Sequence, residues 1–228
     1  MQEIVLKGLK KDHRSNEAYK TLRTNIEFSG ADNKAIVLTS CTPNEGKSTV
    51  SLALAASLAE AGKKVLFVDA DLRKSILAGR HKVTGAIKGL SHFLAGQAKV
   101  GEIMYQTQEP GLVVIFAGVV PPNPAELLGQ HIFESLIESA RKVYDYIIID
   151  APPLGSVIDS AIIAKQCDAA VLVIAANTIS YKFAKAVKEQ LEKSECPILG
   201  VVLNKVDMKQ NKYYGKYYGK YYGEYGKS

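Results

Sequence analysis

The stretch that decides the fold is Ser40–Thr49, which reads SCTPNEGKST. The apolar run before it, Ala35–Thr39 (AIVLT), predicts a buried strand, and Ser48–Ala61 after it predicts a helix. In a strand–loop–helix unit of this kind, backbone N–H groups and the helix N-terminus can bind phosphate groups. The sequence therefore predicts a phosphate loop at residues 40–49, with the contact residues Pro43, Asn44, Glu45, Gly46, Lys47, Ser48 and Thr49.

Two side chains of the phosphate loop carry the expected chemistry. The ammonium group of Lys47 is expected to reach the outer phosphates of a nucleotide, and the hydroxyl of Ser48 is expected to bind Mg²⁺. The match to the pattern G-x-x-x-x-G-K-[ST] is incomplete, because Cys41 stands where the first glycine belongs. A chance G-K-S-T at a helix start is the alternative, and the flanking strand and helix count against it.

The rest of the chain alternates apolar runs with helix-like stretches. Further strands are predicted at Lys64–Val68, Leu112–Ala117, Tyr146–Ile149, Ala169–Ile174 and Ile198–Leu203. Helices are predicted at Asn16–Phe28, within Gly89–Gly101, and at Glu126–Lys142, Val157–Gln166 and Tyr181–Lys193. Because few of the strands alternate apolar with polar residues, they are expected to be buried on both faces. The predicted fold class is a three-layer α/β P-loop NTPase, with a mainly parallel central sheet of about seven or eight strands flanked by helices.

Three carboxylates follow predicted strands. Asp69 and Asp71 lie in VLFVDADLRK with Arg73 after them, and Asp150 ends YIIID. In a parallel sheet the carboxyl ends of the strands share one edge, so these carboxylates are expected beside the phosphate loop. Mg²⁺ needs few protein ligands, and Ser48 and Asp150 are favoured as direct ones, with Asp71 reaching the ion through water or orienting the site.

Composition and charge exclude several function classes. The 228 residues, 47% hydrophobic and 23% charged, suit one globular domain. No apolar run approaches the roughly 20 residues of a membrane span, and the N-terminus lacks a signal-type apolar segment, so a cytoplasmic protein is expected. The three cysteines form no C-x-x-C pair, which argues against a disulfide framework or a zinc site.

The last 21 residues, 208–228, form a separate tail that carries +4 of the net charge of +6. The remaining +2 predicts no nucleic-acid surface on the main domain. The unit K-Y-Y-G occurs three times in the tail, and glycine every four residues predicts a disordered, exposed segment. Binding of single-stranded RNA by stacking, and a sticky end without catalytic role, are the alternatives for this tail.

These motifs together resemble the bacterial tyrosine kinase family of capsule and exopolysaccharide operons, over nearly the whole chain. The resemblance rests on the phosphate loop, on D-x-D-x-R at Asp69–Arg73, on D-x-P-P at Asp150–Pro153 and on the tyrosine-rich tail. It implies an ATP-dependent tyrosine autokinase with an oligomerisation segment at 1–30, a kinase domain at 31–207 and a substrate tail at 208–228. The implied phosphoacceptors are Tyr213, Tyr214, Tyr217, Tyr218, Tyr221, Tyr222 and Tyr225.

The resemblance also implies the residues of the reaction. The implied catalytic residues are Lys47, Asp69, Asp71 and Asp150. The implied ATP contacts beyond the phosphate loop are Arg73, Asn204 and Lys205, the last two at an adenine pocket. Asp69 is the candidate acceptor for the proton of the tyrosine hydroxyl and Asp71 a candidate metal ligand, although these two roles can be exchanged.

The family carries a helical E-x-x-R-x-x-R motif that joins subunits into a ring, and its positions here are Glu17, Lys20 and Arg23. Lysine replaces the first arginine, and the two are not equivalent in bidentate contacts. The resemblance further implies a transmembrane activator, whose cytoplasmic tail completes the site and recruits the chain to the inner face of the membrane. It also implies a cognate phosphotyrosine phosphatase, and control of capsular or exopolysaccharide synthesis and export.

Two other function classes stay open. Cell-division and partition ATPases, which cycle between dimer and monomer, carry an extra lysine in K-G-G-x-G-K-[ST], at the position of Thr42. A guanine-nucleotide switch is suggested by the N-K-x-D spacing at Asn204–Asp207. In the tyrosine kinase interpretation Asn204 instead lies near an adenine base.

Overall fold

In a computed structural model, residues 1–8, 13–83, 85 and 87–207 are described. The tail and its seven predicted phosphoacceptor tyrosines lie outside the described residues. Within the described part of the chain, no helix is both long and apolar enough to cross a membrane.

Among the residues described, eight strands form one sheet. Their bounds are β1 Gln2–Glu3, β2 Ala35–Ser40, β3 Val65–Asp69, β4 Met104–Gln106, β5 Leu112–Ile115, β6 Tyr146–Asp150, β7 Ala169–Ala175 and β8 Ile198–Asn204. Their order across the sheet is β1-β4-β5-β3-β6-β2-β7-β8. Neighbouring strands are parallel except for the antiparallel pair β4–β5. The predicted mainly parallel sheet is confirmed.

Nine helices are found in the described residues. Their bounds are α1 His13–Phe28, α2 Lys47–Glu60, α3 Leu77–Arg80, α4 Leu90–Leu94, α5 Val100–Ile103, α6 Pro124–Leu128, α7 His131–Arg141, α8 Asp159–Ala164 and α9 Tyr181–Glu192. Apolar residues of α1 and α2 pack in one core cluster, and those of α7, α8 and α9 in another. Alternate residues of the central strands enter the two clusters, as Ile36 and Val37 of β2 show, so the sheet is buried between two helical layers.

Several details differ from the sequence prediction, and helix α3 is one element that was not predicted. The single helix predicted at Glu126–Lys142 is wrong, because the chain forms α6 and α7 with a break at Gly129 and Gln130. Glycine is a poor helix former, and Gln130 takes an extended conformation that restarts the chain in α7. The strands β1 and β4 were not predicted, because two or three residues are too few to show a strand pattern.

Strand register brings the predicted site together. Asp150 at the end of β6 pairs with Asp69 at the end of β3 on one side and with Leu38 of β2 on the other. The phosphate loop follows β2 directly, so it leaves the sheet beside both carboxylates. The parallel arrangement therefore places the three motifs at one sheet edge, as the sequence predicted.

Candidate nucleotide site

The phosphate loop has the backbone of an anion site. Asn44 and Gly46 take positive φ angles of 66° and 91°, and α2 begins directly after Gly46. The first intrahelical hydrogen bond runs from Val50 N–H to Gly46 O at 3.0 Å. The N–H groups of residues 46–49 therefore have no partner within α2, and together with the helix dipole they can bind phosphate groups.

The loop is supported by the residues that follow β8. The Asn204 side-chain amide donates to Glu45 O at 2.8 Å, and the Lys205 ammonium donates to Asn44 O at 2.6 Å. A Cβ atom on Gly46 would lie 2.2 Å from Asn204 Nδ2, so a side chain here would displace the Asn204 amide, and the positive φ angle also favours glycine. The predicted contact of Asn204 and Lys205 with a nucleotide base stays a prediction.

Glu45 holds the loop from inside. Its carboxylate is buried and accepts hydrogen bonds from Thr42 N–H at 2.7 Å and from Ala175 N–H at 3.2 Å. Glu45 thus ties the loop to the end of β7. This support role was not predicted, because nothing in the sequence connects Glu45 with a residue 130 positions away.

Lys47 and Asp150 form the centre of the site. The Lys47 ammonium lies 2.8 Å from Asp150 Oδ1, and the side chains are 6% and 1% exposed. The same ammonium lies 3.3 Å from Ser48 Oγ, and the Ser51 hydroxyl donates to Asp150 Oδ1 at 3.2 Å. The cation expected to bind phosphate is therefore held in place by a buried carboxylate.

Asp69 lies next to this centre and carries a perturbed pKa. Its Oδ1 accepts a hydrogen bond from Asp71 N–H at 3.3 Å, and its Oδ2 accepts one from the Ser75 hydroxyl. Burial, and then the negative charge of Asp150, raise the pKa of Asp69 to about 7, although Ser75 and Lys47 act in the opposite direction. Asp69 can therefore exchange a proton near neutral pH.

Arg73 and Asp71 organise the turn after β3. The Arg73 guanidinium donates two hydrogen bonds to Asp159 of α8, from Nε at 2.8 Å and from Nη2 at 2.9 Å, and Asp159 is fully buried. Asp71 Oδ1 accepts from the N–H groups of Arg73 and Lys74 at 3.3 and 3.0 Å. Arg73 is thus engaged with a protein carboxylate in this structure, and its predicted contact with ATP stays a prediction.

The oxygen donors fit a magnesium ion. The Ser48 hydroxyl and the Asp150 carboxylate both lie within 3.3 Å of the Lys47 ammonium, so the two lie close together. At nucleotide sites Mg²⁺ uses one or two carboxylates together with substrate phosphates and water. Within residues 1–8, 13–83, 85 and 87–207, no three His, Cys, Asp or Glu side chains group as a metal site. Ser48 and Asp150 are the residues that would hold Mg²⁺, and the predicted role of Asp71 at the metal stays a prediction.

The comparisons with known proteins agree with this geometry. The AAA domain family matches residues 33–195. The tyrosine-protein kinase CpsD of Streptococcus agalactiae is 47% identical over 205 residues, which are 90% of this chain and 90% of CpsD. The chain belongs to the bacterial tyrosine kinase family. The solved kinase domain of the Escherichia coli tyrosine kinase ETK superposes with a TM-score of 0.78 at 33% identity, covering 84% of this chain and 77% of that chain.

The kinase also shares its fold with the septum site-determining protein MinD of Pyrococcus horikoshii, solved with Mg-ADP. The TM-score is 0.64 at 29% identity, over 75% of the kinase and 69% of MinD. This likeness supports nucleotide binding by the P-loop fold. The predicted family and the predicted enzyme class, a protein-tyrosine kinase, are confirmed by these matches.

The predicted oligomerisation residues of the kinase lie on α1 in two environments. Glu17 and Lys20 form an exposed ion pair of 2.7 Å along the helix. Arg23 instead turns to α2, where its Nη1 donates to Ser57 O at 2.7 Å. The three residues are therefore not presented as one exposed row, and their role between subunits stays a prediction.

Proposed function

We propose that the kinase transfers the γ-phosphoryl group of ATP to tyrosines of its own tail, mainly between subunits. The observation that carries this proposal is the meeting of Lys47, Asp69 and Asp150 beside the phosphate loop. Phosphoryl transfer depends mainly on positioning and on the neutralisation of charge. This arrangement supplies both, since the loop N–H groups orient the phosphates and Lys47 brings a fixed positive charge.

The chain's own residues have separate roles in the step. The N–H groups of residues 46–49 hold the phosphate chain, and the Lys47 ammonium binds its outer part. Ser48 and Asp150, with Asp71 through water, would hold Mg²⁺, which would supply further positive charge to the phosphates. Asp150 thus serves both the lysine and the metal.

The acceptor tyrosine must lose a proton during transfer. Its phenol has a reference pKa near 10, so few phenolates form at neutral pH. As the phenol oxygen bonds to the γ-phosphorus and the bond to the ADP oxygen breaks, the Asp69 carboxylate takes the phenol proton. A pKa of about 7 makes Asp69 a better base than an ordinary aspartate. Asp71, which is less buried, is the alternative acceptor.

The place where the chain leaves the sheet supports the tail as substrate. Asn204 and Lys205 bind the phosphate loop itself, and the tail begins three residues later. A flexible chain of 20 residues spans roughly 25 Å, which suits the site of a neighbouring subunit. Each added phosphate brings about −1.5 to −2 charges, so a few of them reverse the tail charge of +4 and favour dissociation of neighbouring subunits.

The proposal includes the partners of the reaction. A transmembrane activator would complete the site and hold the kinase at the inner face of the membrane, where a homo-oligomeric ring forms. A phosphotyrosine phosphatase would reset the tail. The cycle would control capsular or exopolysaccharide synthesis and export. The exposed Glu17–Lys20 pair on α1 supports contact between subunits at this helix.

The test is a mixing experiment with Mg-ATP and the cytoplasmic segment of the activator. A chain that carries Lys47→Met but keeps its tail is combined with a wild-type chain that ends at Asp207. We expect phosphotyrosine between Tyr213 and Tyr225 of the Lys47→Met chain, although neither chain is labelled alone. If intact wild type is labelled but the Lys47→Met chain in the mixture is not, this result would contradict transfer between subunits. Phosphate release without any labelled tyrosine would contradict the kinase step and favour an ATPase cycle.

A further inference from the structure

Arg80 contacts the phosphate-binding helix from a different part of the chain. It is the last residue of α3, and its Nη1 donates to Thr49 Oγ1 of α2 at 2.8 Å. The N–H group of Thr49 is one of the four at the start of α2 without an intrahelical partner. The Arg80 guanidinium is therefore held one side chain away from the phosphate site.

Three other cations of this sheet edge are engaged by the protein. Lys47 pairs with Asp150, Arg73 with Asp159, and Lys205 with the carbonyl of Asn44. In the portion of the chain that the structure describes, Arg80 makes no ion pair, and its side-chain partner is the neutral Thr49 hydroxyl. Its charge is thus available for an anion.

The backbone around Arg80 is fixed on both sides. Leu77 of α3 is 2% exposed within the apolar cluster beneath α2. His81, directly after Arg80, shares two hydrogen bonds with Lys7, from Lys7 N–H to His81 O at 3.3 Å and between His81 Nδ1 and Lys7 O at 2.8 Å. The guanidinium therefore extends from a fixed turn, and little backbone conformational entropy is lost when it binds an anion.

We infer that Arg80 is a further nucleotide-binding residue, which contacts the α- and β-phosphates and is positioned by Thr49. The inference rests on the proposed function, because it takes the phosphate loop to hold a nucleotide. Arginine offers five donors in a fork. One of these donors can stay on Thr49 while others bind phosphate oxygens, and the loop N–H groups beside Thr49 contact the α/β part of the nucleotide.

The experiment measures dissociation constants for fluorescent ADP and for a non-hydrolysable ATP analogue in the full-length chain. We expect Arg80→Gln to weaken both about tenfold, as for the loss of a charged hydrogen bond. The matched control is Lys82→Gln, which removes an exposed cation two residues away and should change neither constant. Thermal unfolding of each variant verifies that the chain is folded.

A double-mutant cycle with Thr49→Ala tests the positioning. If Thr49 orients Arg80, the fold-loss of nucleotide affinity in the Arg80→Gln/Thr49→Ala double variant is smaller than the product of the fold-losses in the two single variants. Unchanged affinity in Arg80→Gln, or a loss limited to the ATP analogue, would overturn the inference, and a product of independent losses would overturn the role of Thr49. Nucleotide binding is measured without tyrosine transfer, so normal binding with no tail labelling would reject the proposed function alone.

Discussion

Lys47 and Asp150 form a buried ion pair at 2.8 Å, between residues 103 positions apart in the chain. The pair joins the first turn of α2 to the end of β6, and thus joins the phosphate loop to the neighbouring strand. A buried ion pair is costly to break from one side, because the remaining charge has no partner. Lys47, which we propose to bind phosphate, therefore also contributes to the stability of the folded chain.

The first prediction separates these two roles of Lys47. Lys47→Met should lower the free energy of unfolding by about 3 kcal/mol, since it leaves Asp150 buried without its cation. Adding Asp150→Asn should recover most of this loss, because no buried charge remains. Tyrosine labelling should fall at least about 100-fold in both variants. Urea denaturation and phosphotyrosine detection measure the two effects, and equal stability of the single and double variants would contradict the pair's structural role.

The second prediction concerns Asp69 in the nucleotide-free and metal-free protein. Because its pKa is raised to about 7 in the folded state, the folded chain binds this proton more tightly than the unfolded chain does. Its contribution to stability is therefore fully present below about pH 4 and is lost as the pH rises from about 4 to 7. Asparagine at position 69 cannot acquire the buried negative charge, so Asp69→Asn should be more stable than wild type at pH 8, by on the order of 1–3 kcal/mol.

Denaturation curves at pH 5 and pH 8 in the presence of EDTA measure this difference. The stability gain of Asp69→Asn over wild type should be larger at pH 8, while tyrosine labelling should be lost. Asp71→Asn is the matched control, because Asp71 is more exposed. A stability gain that is the same at both pH values would contradict the raised pKa.

The third prediction concerns Gly46, where a side chain meets two obstacles. Gly46→Ala adds a Cβ at a positive φ angle of 91° and 2.2 Å from Asn204 Nδ2. Gly62→Ala is the matched control, since Gly62 has a φ angle of 83° and nothing within 4 Å of an added Cβ. In both variants, backbone strain should lower the free energy of unfolding by about 1 kcal/mol. Gly46→Ala should in addition lower nucleotide affinity about tenfold or more, because the displaced Asn204 amide no longer supports the loop through Glu45 O.

Calorimetric nucleotide titration and thermal unfolding distinguish the two glycines. If Gly62→Ala weakened nucleotide binding as much as Gly46→Ala does, the contact with Asn204 would have no special role in the loop.

The fourth prediction concerns the bidentate contact of Arg73 with Asp159. Asp159 is fully buried, whereas the Arg73 side chain is 41% exposed, so solvent screens part of the interaction. Arg73→Gln should lower the free energy of unfolding by about 1–2 kcal/mol, because it leaves the Asp159 charge without its cation. The double variant Arg73→Gln/Asp159→Asn should be closer to wild type in stability. A nucleotide affinity that falls more than tenfold in Arg73→Gln would instead show that Arg73 binds ATP directly.

The phosphate loop and the main strands could be predicted because their signals are local. The run AIVLT followed by G-K-S-T identifies β2, the loop and α2 within 27 positions of the chain. Parallel pairing then brings Asp69 and Asp150 together, because each ends its strand at the same sheet edge. The six longest strands could be found for the same reason, since each one is a continuous apolar run.

Contacts between distant residues could not be predicted in this way. Arg73 donates to Asp159, which is 86 positions away in the chain, and Arg80 donates to Thr49, which is 31 positions away. Side-chain partners of this kind depend on where each helix lies on the sheet, which the pattern of apolar residues does not specify. Asn204 illustrates the limit, since its N-K-x-D context suggests contact with a base, whereas its amide binds the carbonyl of Glu45.

The attachment of Asn204 and Lys205 to the phosphate loop has a mechanical consequence. Tension applied to the chain beyond Asp207 would be transmitted first to the carbonyls of Asn44 and Glu45, because these accept the two hydrogen bonds. If a neighbouring subunit bound the tail, tension would thus act on the phosphate loop of the subunit that carries the tail. Under the proposed transfer between subunits, binding of the tail by a neighbour would thus be coupled to the phosphate loop of the tail's own subunit through Asn204 and Lys205.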